Sequence, residues 1–257
     1  MANIDVTIDD ATAVVTLNRP AQRNAMTLAM WKEVTRLFGE FGRNDAVRVI
    51  VLTGAGGHFS VGADISEFGT VRADIAQSAA YEVAVDTCSD AIANAPKPTI
   101  AAIDGYCLGG GCHLAMACDF RFAGAAASFG IPAARLSIVY GLRSTQRLFA
   151  LVGLAQAKRI LFSGERFDAT EALRIGFADV RADNAIQEAK NFAGALADNA
   201  PLSISGAKFM LNGMASALGT LDPYEVQSTI DPASASADYS EGRRAFAEKR
   251  RPIFTGR

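Results

Sequence analysis

The sequence predicts an α/β fold with an α-helical C-terminal part. Segments with strand and helix patterns alternate up to about residue 200, and helical patterns dominate after Pro201. The chain has 257 residues, 50% of them hydrophobic, which is enough for one large domain with a full core. We therefore place an α/β core at residues 1–200 and a C-terminal helical module at residues 201–257.

Short apolar runs rich in β-branched residues mark the strands of the predicted core. Ile4–Ile8 and Ala13–Leu17 alternate or run apolar on either side of two aspartates, which predicts a β-hairpin. Val47–Thr53 and Thr99–Ile103 are almost wholly apolar, as expected for strands buried on both faces. Two shorter strands are predicted at Phe120–Ala123 and Ser128–Phe129.

Apolar residues at helical spacing mark the helices. The pattern predicts one helix from Thr27 to about Phe41 and a long one from Thr70 to Asn94, which Pro96 terminates. A short helix from Gly109 to Ala117 begins with three glycines. The remaining helices are predicted at Ser144–Val152, Ala155–Phe162, Ala169–Ile175, Ile186–Asn199, Ser203–Met214, Tyr224–Thr229 and Tyr239–Arg250.

Composition excludes several classes of function. The net charge of −2 gives no chain-wide electrostatic basis for binding nucleic acid. No apolar run is long enough to span a bilayer, and the acidic N-terminus is unlike a signal peptide. The four cysteines are too irregularly spaced for a disulfide framework, so we expect reduced thiols in a cytoplasmic protein. They are Cys88, Cys107, Cys112 and Cys118.

Two segments carry most of the functional information, and each presents bare backbone N–H groups after a predicted strand. One runs from His58 to Ile65, and the other is Gly109-Gly110-Gly111 at the start of a helix. The first amides of a helix lack intrahelical partners and lie at its positive end. Two such donors can hold one carbonyl oxygen as it becomes an oxyanion. The alternative for the triplet is a tight packing turn.

Other chemistries find less support in the sequence. The glycines of Gly54 to Gly57 do not fit a dinucleotide fingerprint, because the third glycine would fall at Phe59. The cysteines and His113 match no zinc spacing, so we predict no metal. Residues 241–257 hold six basic residues against two acidic ones, which indicates either a solvated surface or a patch for ligand phosphates.

Taken together, these segments resemble the crotonase family, also called the enoyl-CoA hydratase/isomerase superfamily. The resemblance covers nearly the whole chain. It rests on Leu17-Asn18-Arg19-Pro20, Asn24-Ala25, Phe59 to Ile65, Asp104-Gly105-Tyr106, Gly109 to Cys112, Ala117-Cys118-Asp119, Phe129-Gly130-Ile131-Pro132, Thr145 to Leu148, Ala169 to Ala172 with Gly176, Glu241-Gly242 and Phe246 to Arg250.

The resemblance implies a spiral of ββα units, a C-terminal helical trimerisation module, and a homotrimer or a dimer of trimers. It implies an acyl-CoA thioester as ligand, with coenzyme A as part of the substrate and no separate cofactor. The N–H groups of Ala63 and Gly110 would form the oxyanion hole. The remaining implied coenzyme A contacts are Arg23, the strand Val61–Ile65 with Asp64 against the adenine, and, reaching a neighbouring subunit's ligand, Ile230 and Lys249.

The chain departs from the family where its hydratases carry two catalytic glutamates. His113 stands at one position and Ala133 at the other. Water addition needs a base to activate water and an acid to protonate the α-carbon, so we expect ordinary hydration to be absent or feeble. His113 is either a structural histidine or a neutral hydrogen-bond donor or slow acid–base group facing the acyl chain.

Tyr140 is the other polar candidate, because malonyl-type decarboxylases of this family carry a tyrosine in the corresponding stretch. The match is partial, since those enzymes carry a histidine where this chain has Ala63. Arg135 is an alternative group for a substrate carboxylate. Three hypotheses remain open: an enzyme acting through a thioester enolate, a malonyl-type decarboxylase, and a non-catalytic acyl-CoA binding protein.

Overall fold

The computed structural model describes residues 3–216, 224, 231, 235–250 and 252–253, and within them the predicted α/β architecture is confirmed. A hairpin of β1 (Ile4–Asp9) and β2 (Thr12–Leu17) opens a six-stranded sheet that continues in parallel. Its order is β1-β2-β3-β4-β6-β9, with β3 at Val49–Gly54, β4 at Thr99–Ile103, β6 at Phe120–Gly124 and β9 at Val180–Ala182. A second sheet, β5-β7-β8, comprises Tyr106–Leu108, Ser128–Gly130 and Arg166–Asp168.

Nine helices are described in these ranges of the chain. They are α1 (Leu28–Arg43), α2 (Phe68–Val71), α3 (Ile75–Ala93), α4 (Gly110–Ala117), α5 (Leu142–Ser163), α6 (Ala169–Arg174), α7 (Ala185–Ala197), α8 (Pro201–Ser216) and α9 (Ala237–Ala247). Short 3-10 helices lie at Pro20–Gln22, Ile65–Glu67 and Ala133–Leu136.

The central strands are buried because helices cover both faces of the main sheet. All five residues of β4 are buried, as their uninterrupted apolar sequence predicts. One face, which includes Val51 and Ile100, packs against the alanines of α7. The other face, which includes Ile50 and Leu52, packs against the large core that contains α1. The ends of β3 and β4 lead into the two segments that the sequence singled out.

The long helix predicted over residues 70–94 is confirmed from Ile75 to Ala93 as α3, but its start is wrong, because the chain leaves helical geometry between α2 and α3. Arg72 has φ −141°, and Asp74 begins α3 by accepting a hydrogen bond from the Gln77 amide. The two helices predicted over 144–162 are confirmed as halves of α5, which Gly153 interrupts with φ 72° and ψ 170°. The N-cap residue Asp74 therefore sets the start of α3, and Gly153 sets the break within α5.

Of the nine strands in the described residues, β5, β8 and β9 were not predicted, because runs of three residues are too short to show a period. The predicted strand Val61–Ile65 is also wrong, since the segment has only one isolated bridge, between Ala63 and Met26. The helix predicted at Tyr224–Thr229 and the residue Ile230 lie outside the described residues, apart from Tyr224 itself.

All four cysteines are buried free thiols, as the sequence predicts. In the described part of the chain, no helix is both long and apolar enough to cross a membrane. The same residues contain no group of three metal-ligating side chains.

Candidate active site

The amides of Ala63 and Gly110 lie next to each other because glycines let two backbone segments approach closely. A Cβ atom on Gly110 would lie 3.3 Å from the Ala63 nitrogen, and one on Gly62 would lie 2.6 Å from the Gly110 nitrogen. Gly62 also has φ +91°, a conformation that favours glycine. The two segments that the sequence singled out therefore meet at these amides.

Backbone hydrogen bonds hold the first segment in place. The Met26 amide donates to the Gly62 carbonyl at 2.7 Å, and the Asp64 amide donates to the Met26 carbonyl at 2.9 Å. Nearer the start of this segment, the Ser60 amide donates to the Tyr106 carbonyl at 2.9 Å, which connects the segment to β5. The Ala63 amide lies between these fixed points and, within the described residues, donates to no backbone carbonyl.

The Gly110 amide is free for a different reason, which is its place at the start of α4. The first N–H groups of a helix have no intrahelical acceptor and carry the positive end of the helix dipole. Gly109, with φ +51°, turns the chain from β5 into this helix. The Gly110 and Ala63 amides are thus two adjacent, fixed donors, which is the arrangement that an oxyanion hole requires.

Aromatic side chains line the site next to these amides. The ring of Trp31 would lie 3.2 Å from a Cβ atom on Gly110. Its indole Nε1 donates to the Tyr81 hydroxyl at 2.9 Å, so the ring orientation is fixed. The hydroxyl of Tyr140 donates to the Gly109 carbonyl at 3.4 Å, which places Tyr140 beside the glycine triplet.

His113 lies one turn into α4, buried between Trp31 and Tyr140. Its ring centroid is 6.4 Å from each of these rings, in an edge-on arrangement. The Nδ1 atom is hydrogen-bonded to the Ser144 hydroxyl, whereas the buried Nε2 atom has no partner among the described residues. Burial and the nearby Arg147 guanidinium lower the pKa of His113 to about 3. The imidazole is therefore neutral at physiological pH and is a weak base.

Tyr140 is held in its neutral form. Burial raises the pKa of its hydroxyl well above the usual range, and a hydrogen bond with Ser144 only partly opposes this effect. Ser144 thus contacts His113 and hydrogen-bonds Tyr140, although no sequence pattern indicates it. It stands near the start of a predicted helix, and nothing in the local sequence indicates that its side chain faces inward.

At the position of the second missing glutamate, the Ala133 side chain presents only an apolar surface. Ala133 is buried and begins the 3-10 helix that follows β7. Arg135, the alternative group for a substrate carboxylate, is exposed and donates at 3.3 Å to the Ser163 carbonyl at the end of α5. The Arg135 guanidinium is thus engaged at the end of α5.

A cavity of about 970 Å3 lies between α3, α5 and α8. Gly141, the residue after Tyr140, is part of its lining. Asp86 lines it, 3.9 Å from the Arg143 guanidinium. Burial, reinforced by the Glu82 charge, raises the pKa of Asp86 to about 6. Asp86 is therefore a carboxyl group that titrates near neutral pH in a cavity adjoining the site.

The residues implied for coenzyme A binding fall into two places, one around Arg23 and the segment from Val61 to Ile65, and the other at Lys249 after α9. Arg23 is exposed, its carbonyl accepts the Val61 amide at 3.1 Å, and its guanidinium lies 5.2 Å from the Tyr106 ring centroid. Ile65 packs on the core beyond Asp64. Lys249 is exposed just past the end of α9.

Asp64 has a structural role in the turn that follows Ala63. Its side chain pairs with Arg19 at 2.7 Å and accepts hydrogen bonds from the Ser66 amide and hydroxyl. Burial opposes ionisation, but the bonds from Ser66 and Arg19 outweigh it and lower the pKa of Asp64. Asp64 thus fixes the turn that follows Ala63.

Comparison with known proteins supports one family. The profile described as enoyl-CoA hydratase/isomerase matches residues 7–257. The short-chain-enoyl-CoA hydratase of Clostridium acetobutylicum is 34% identical over 253 residues, covering 97% of this chain and 96% of that protein. The fold and the paired amides define a crotonase-type protein, and the chain belongs to the enoyl-CoA hydratase/isomerase family.

Solved structures agree with this assignment. An enoyl-CoA hydratase/isomerase family protein from Hyphomonas neptunium has a TM-score of 0.82 and 39% identity, covering 100% of this chain and 98% of its own. A methylmalonyl-CoA decarboxylase in complex with 2-nitronate-propionyl-CoA has a TM-score of 0.89 and 25% identity, covering 100% and 99%. This chain is thus similar to proteins named for two different reactions.

Proposed function

We propose that this protein binds an acyl-CoA thioester and stabilises its enolate between the Ala63 and Gly110 amides, and that the enolate forms by loss of CO2 from a malonyl-type thioester. The observation that carries the proposal is the absence of a strong base at the two glutamate positions. His113 is neutral, with a pKa of about 3, and Ala133 has no titratable group. The similarity in fold to a methylmalonyl-CoA decarboxylase supports the same reaction.

Decarboxylation needs no base to create the enolate. The bond between the α-carbon and the carboxylate carbon breaks, and its electron pair becomes the enolate while CO2 leaves. The two amides hold the thioester oxygen as its negative charge develops, and one such donor contributes roughly 10²–10³ in rate. The α-carbon then takes a proton from water or from a neutral acid such as the Tyr140 hydroxyl.

The coenzyme A part of the substrate would lie along Arg23, Val61 and Ile65, with Lys249 reaching the ligand of a neighbouring subunit. No separate cofactor enters this scheme, because coenzyme A arrives with the substrate. Arg23 is exposed and free to approach phosphates, which supports its part in the proposal.

Hydration or isomerisation is the second candidate, and Asp86 is the observation that favours it. With a pKa of about 6, Asp86 is suited to general acid–base catalysis from a cavity beside the site. The named hydratase relative favours the same reaction. The third candidate is a protein that binds an acyl-CoA ester at the amide pair and does not convert it.

Mass spectrometry of purified protein incubated with methylmalonyl-, crotonyl-, longer enoyl- and 3-hydroxyacyl-CoA tests the proposal. We expect loss of CO2 from methylmalonyl-CoA. Water gained by crotonyl-CoA, abolished in Asp86→Asn, would instead establish hydration that depends on Asp86. Binding of every ester without any change in mass would contradict the decarboxylase and support a binding protein.

The paired substitution His113→Glu with Ala133→Glu is a second test of the proposed function. If only the carboxylates are missing, the double variant gains crotonyl-CoA hydration, because it regains an acid and a base beside the amide pair. Each single variant is the matched control and should gain much less. A folded double variant that binds CoA esters without hydrating them would mean that the pocket shape has diverged as well.

A further inference from the structure

Ser144, in the first turn of α5, connects two polar side chains of the site through its hydroxyl group. The residue is only 2% exposed, so the hydroxyl bonds with groups inside the protein. It contacts the Nδ1 atom of His113 on α4 and hydrogen-bonds the Tyr140 hydroxyl. The Tyr140 hydroxyl in turn reaches the carbonyl of Gly109, the residue before the Gly110 amide. Three side chains thus form one row that ends beside the paired amides.

The number of protons available fixes the direction of these hydrogen bonds. A hydroxyl group has one proton to donate, whereas a carbonyl oxygen can only accept. The contact between Tyr140 and Gly109, 3.4 Å long, therefore uses the Tyr140 proton. The Tyr140 oxygen can then only accept from Ser144, which uses the Ser144 proton. Ser144 in turn can only accept from His113, so the Nδ1 atom of His113 must carry a hydrogen.

The surroundings of the His113 ring agree with this direction. Burial keeps the imidazole neutral, so one ring nitrogen carries a proton and the other does not. With the proton on Nδ1, the Nε2 atom, which has no partner among the described residues, is an unused acceptor. The opposite tautomer would bury an unpaired N–H donor. In protein backbones, buried N–H groups without a partner are rarer than under-used acceptors.

We propose that Ser144 is a positioning residue, which connects the donor on His113 to Tyr140 and so helps Tyr140 deliver a proton to the enolate. The Tyr140 O–H bond breaks, and the enolate electron pair forms the new C–H bond at the α-carbon. The negative charge then stays on the phenolate until water returns a proton. The enolate belongs to the proposed function, on which this inference rests, but the direction of the hydrogen bonds depends on no particular reaction.

The contribution of Ser144 falls in the proton-transfer step. Burial makes a phenolate at Tyr140 costly, and the hydrogen bond from Ser144 opposes that cost. A hydrogen bond to an ionised acceptor is roughly twice as strong as one between neutral groups, so the contact strengthens as the proton leaves. An interaction that is stronger in the transition state than in the ground state accelerates the reaction.

Nitrogen NMR of protein with isotope-labelled histidine tests the direction of the hydrogen bonds without any ligand. The chain has only two histidines. His58 is the internal reference, because its Nδ1 atom accepts the Tyr106 amide at 3.2 Å and its proton is therefore on Nε2. His113 should show the opposite tautomer, with a protonated Nδ1 atom, and the variant His58→Gln assigns the signals. A proton on Nε2 of His113 would overturn the proposal, because Ser144 would then donate to His113 and not to Tyr140.

Kinetics of methylmalonyl-CoA decarboxylation tests the role of Ser144 in proton delivery. In Ser144→Ala we expect kcat to fall by about tenfold to a hundredfold, the range for a hydrogen bond to a charged group. The ratio kcat/KM should stay unchanged, because protonation follows the irreversible loss of CO2. The slower step should also show a solvent deuterium isotope effect. Ser144→Thr keeps the hydroxyl and should restore most of kcat.

Thr53→Val is the matched control, because it removes a buried hydroxyl that donates to the Ala102 carbonyl within the main sheet. This variant should keep the native kcat and the native tautomer of His113. An unchanged kcat in Ser144→Ala, or a fall of kcat/KM by the same factor as kcat, would refute the positioning role. If the native protein converts no ester, the proposed function is contradicted, whereas the nitrogen spectra still decide the direction of the hydrogen bonds.

Discussion

Gly110 contributes a backbone amide, and its lack of a side chain lets that amide approach Ala63. Gly110→Pro removes the N–H at the first helical position, where proline is well tolerated in helices. We expect turnover, or acyl-CoA affinity if turnover is absent, to fall by about 10²–10³. Steady-state kinetics or calorimetry with the best ester measures the loss.

Gly110→Ala is the matched control for this substitution. Its Cβ atom would lie 3.2 Å from the Trp31 ring, so it crowds the site without removing the donor. A smaller loss in Gly110→Ala than in Gly110→Pro, at similar melting temperatures, assigns the difference to the N–H group. Unchanged turnover in the proline variant would refute the oxyanion assignment.

His113 makes stability depend on pH, because it is buried in its neutral form. Its pKa is about 3 in the folded protein and near 6.5 in the unfolded chain. Between these values the unfolded chain binds more protons, so this contribution is complete above pH 6.5 and declines as the pH falls toward 3. We expect a loss of about 2–3 kcal/mol from pH 6.5 to 4.5.

Denaturant unfolding of the native protein and of His113→Gln at several pH values isolates this effect. Glutamine is polar and uncharged throughout the range, so the variant should show a smaller loss of unfolding free energy on acidification. The difference between the two proteins removes the contribution of the carboxylates. Parallel pH dependence in both would contradict neutral burial of His113.

Single residues also show how far the sequence could locate the site. Ala63 and Gly110 were predicted from the family resemblance, and the structure brings their amides together, while their part in an oxyanion hole stays a prediction. Ser144 could not be predicted, because its contact with His113 joins residues 31 positions apart on two helices. Side-chain contacts of this kind depend on tertiary packing, which local sequence patterns do not encode.

At the scale of elements, α5 depends on a glycine that interrupts it. Gly153 has φ 72° and ψ 170°, a region that only glycine adopts readily, and no atom crowds the place of its missing Cβ. Gly153→Ala should therefore cost about 1–3 kcal/mol of unfolding free energy through backbone strain alone. Chemical denaturation measures the cost.

Gly194→Ala provides the opposite case in the same protein. Gly194 lies inside α7, also with open space around its Cβ position, and has no left-handed conformation. Alanine there should stabilise the protein by about 0.5–1 kcal/mol. If Gly153→Ala stabilised the protein as Gly194→Ala should, the kink at Gly153 would not be required by the fold.

Elements with a long, uninterrupted pattern were the ones that the sequence predicted well. The strands β3 and β4 and the helix α1 were predicted within two residues at each end, because burial on both faces or one amphipathic face leaves a clear signal. The small sheet β5-β7-β8 was largely missed, since its three-residue strands form through pairing between distant segments. The break at Arg72 depended on capping by Asp74, within an otherwise helical pattern.

At the scale of the whole molecule, the described chain leaves one helix with a large unpaired apolar surface. The exposed side chains on α8 include Leu202, Phe209, Met210, Leu211 and Met214. Phe209 is 80% exposed and Leu202 86%. By contrast, α1 buries its apolar face, which consists of Met30, Trp31, Val34, Leu37, Phe38 and Phe41. Apolar surface of this kind marks association with another protein surface.

Association of identical subunits through α8 is the prediction that follows, in agreement with the trimer that the family resemblance implies. Light scattering coupled to gel filtration should give the mass of a trimer or a hexamer for the native protein. Phe209→Glu should shift that mass toward the monomer, because a charge cannot be buried in an apolar interface without a partner. Its exposure in the single chain means that the monomer itself should still fold.

Ile8→Glu is the matched control, since Ile8 is an exposed apolar residue on β1, at the edge of the main sheet, and is 50% exposed. This variant should keep the native mass. If Lys249 reaches coenzyme A across a subunit boundary, Phe209→Glu should also weaken acyl-CoA binding in proportion to dissociation, and higher protein concentration should restore it. A native protein that is monomeric at all concentrations would refute the assembly and, with it, the assignment of Lys249 to a neighbouring ligand.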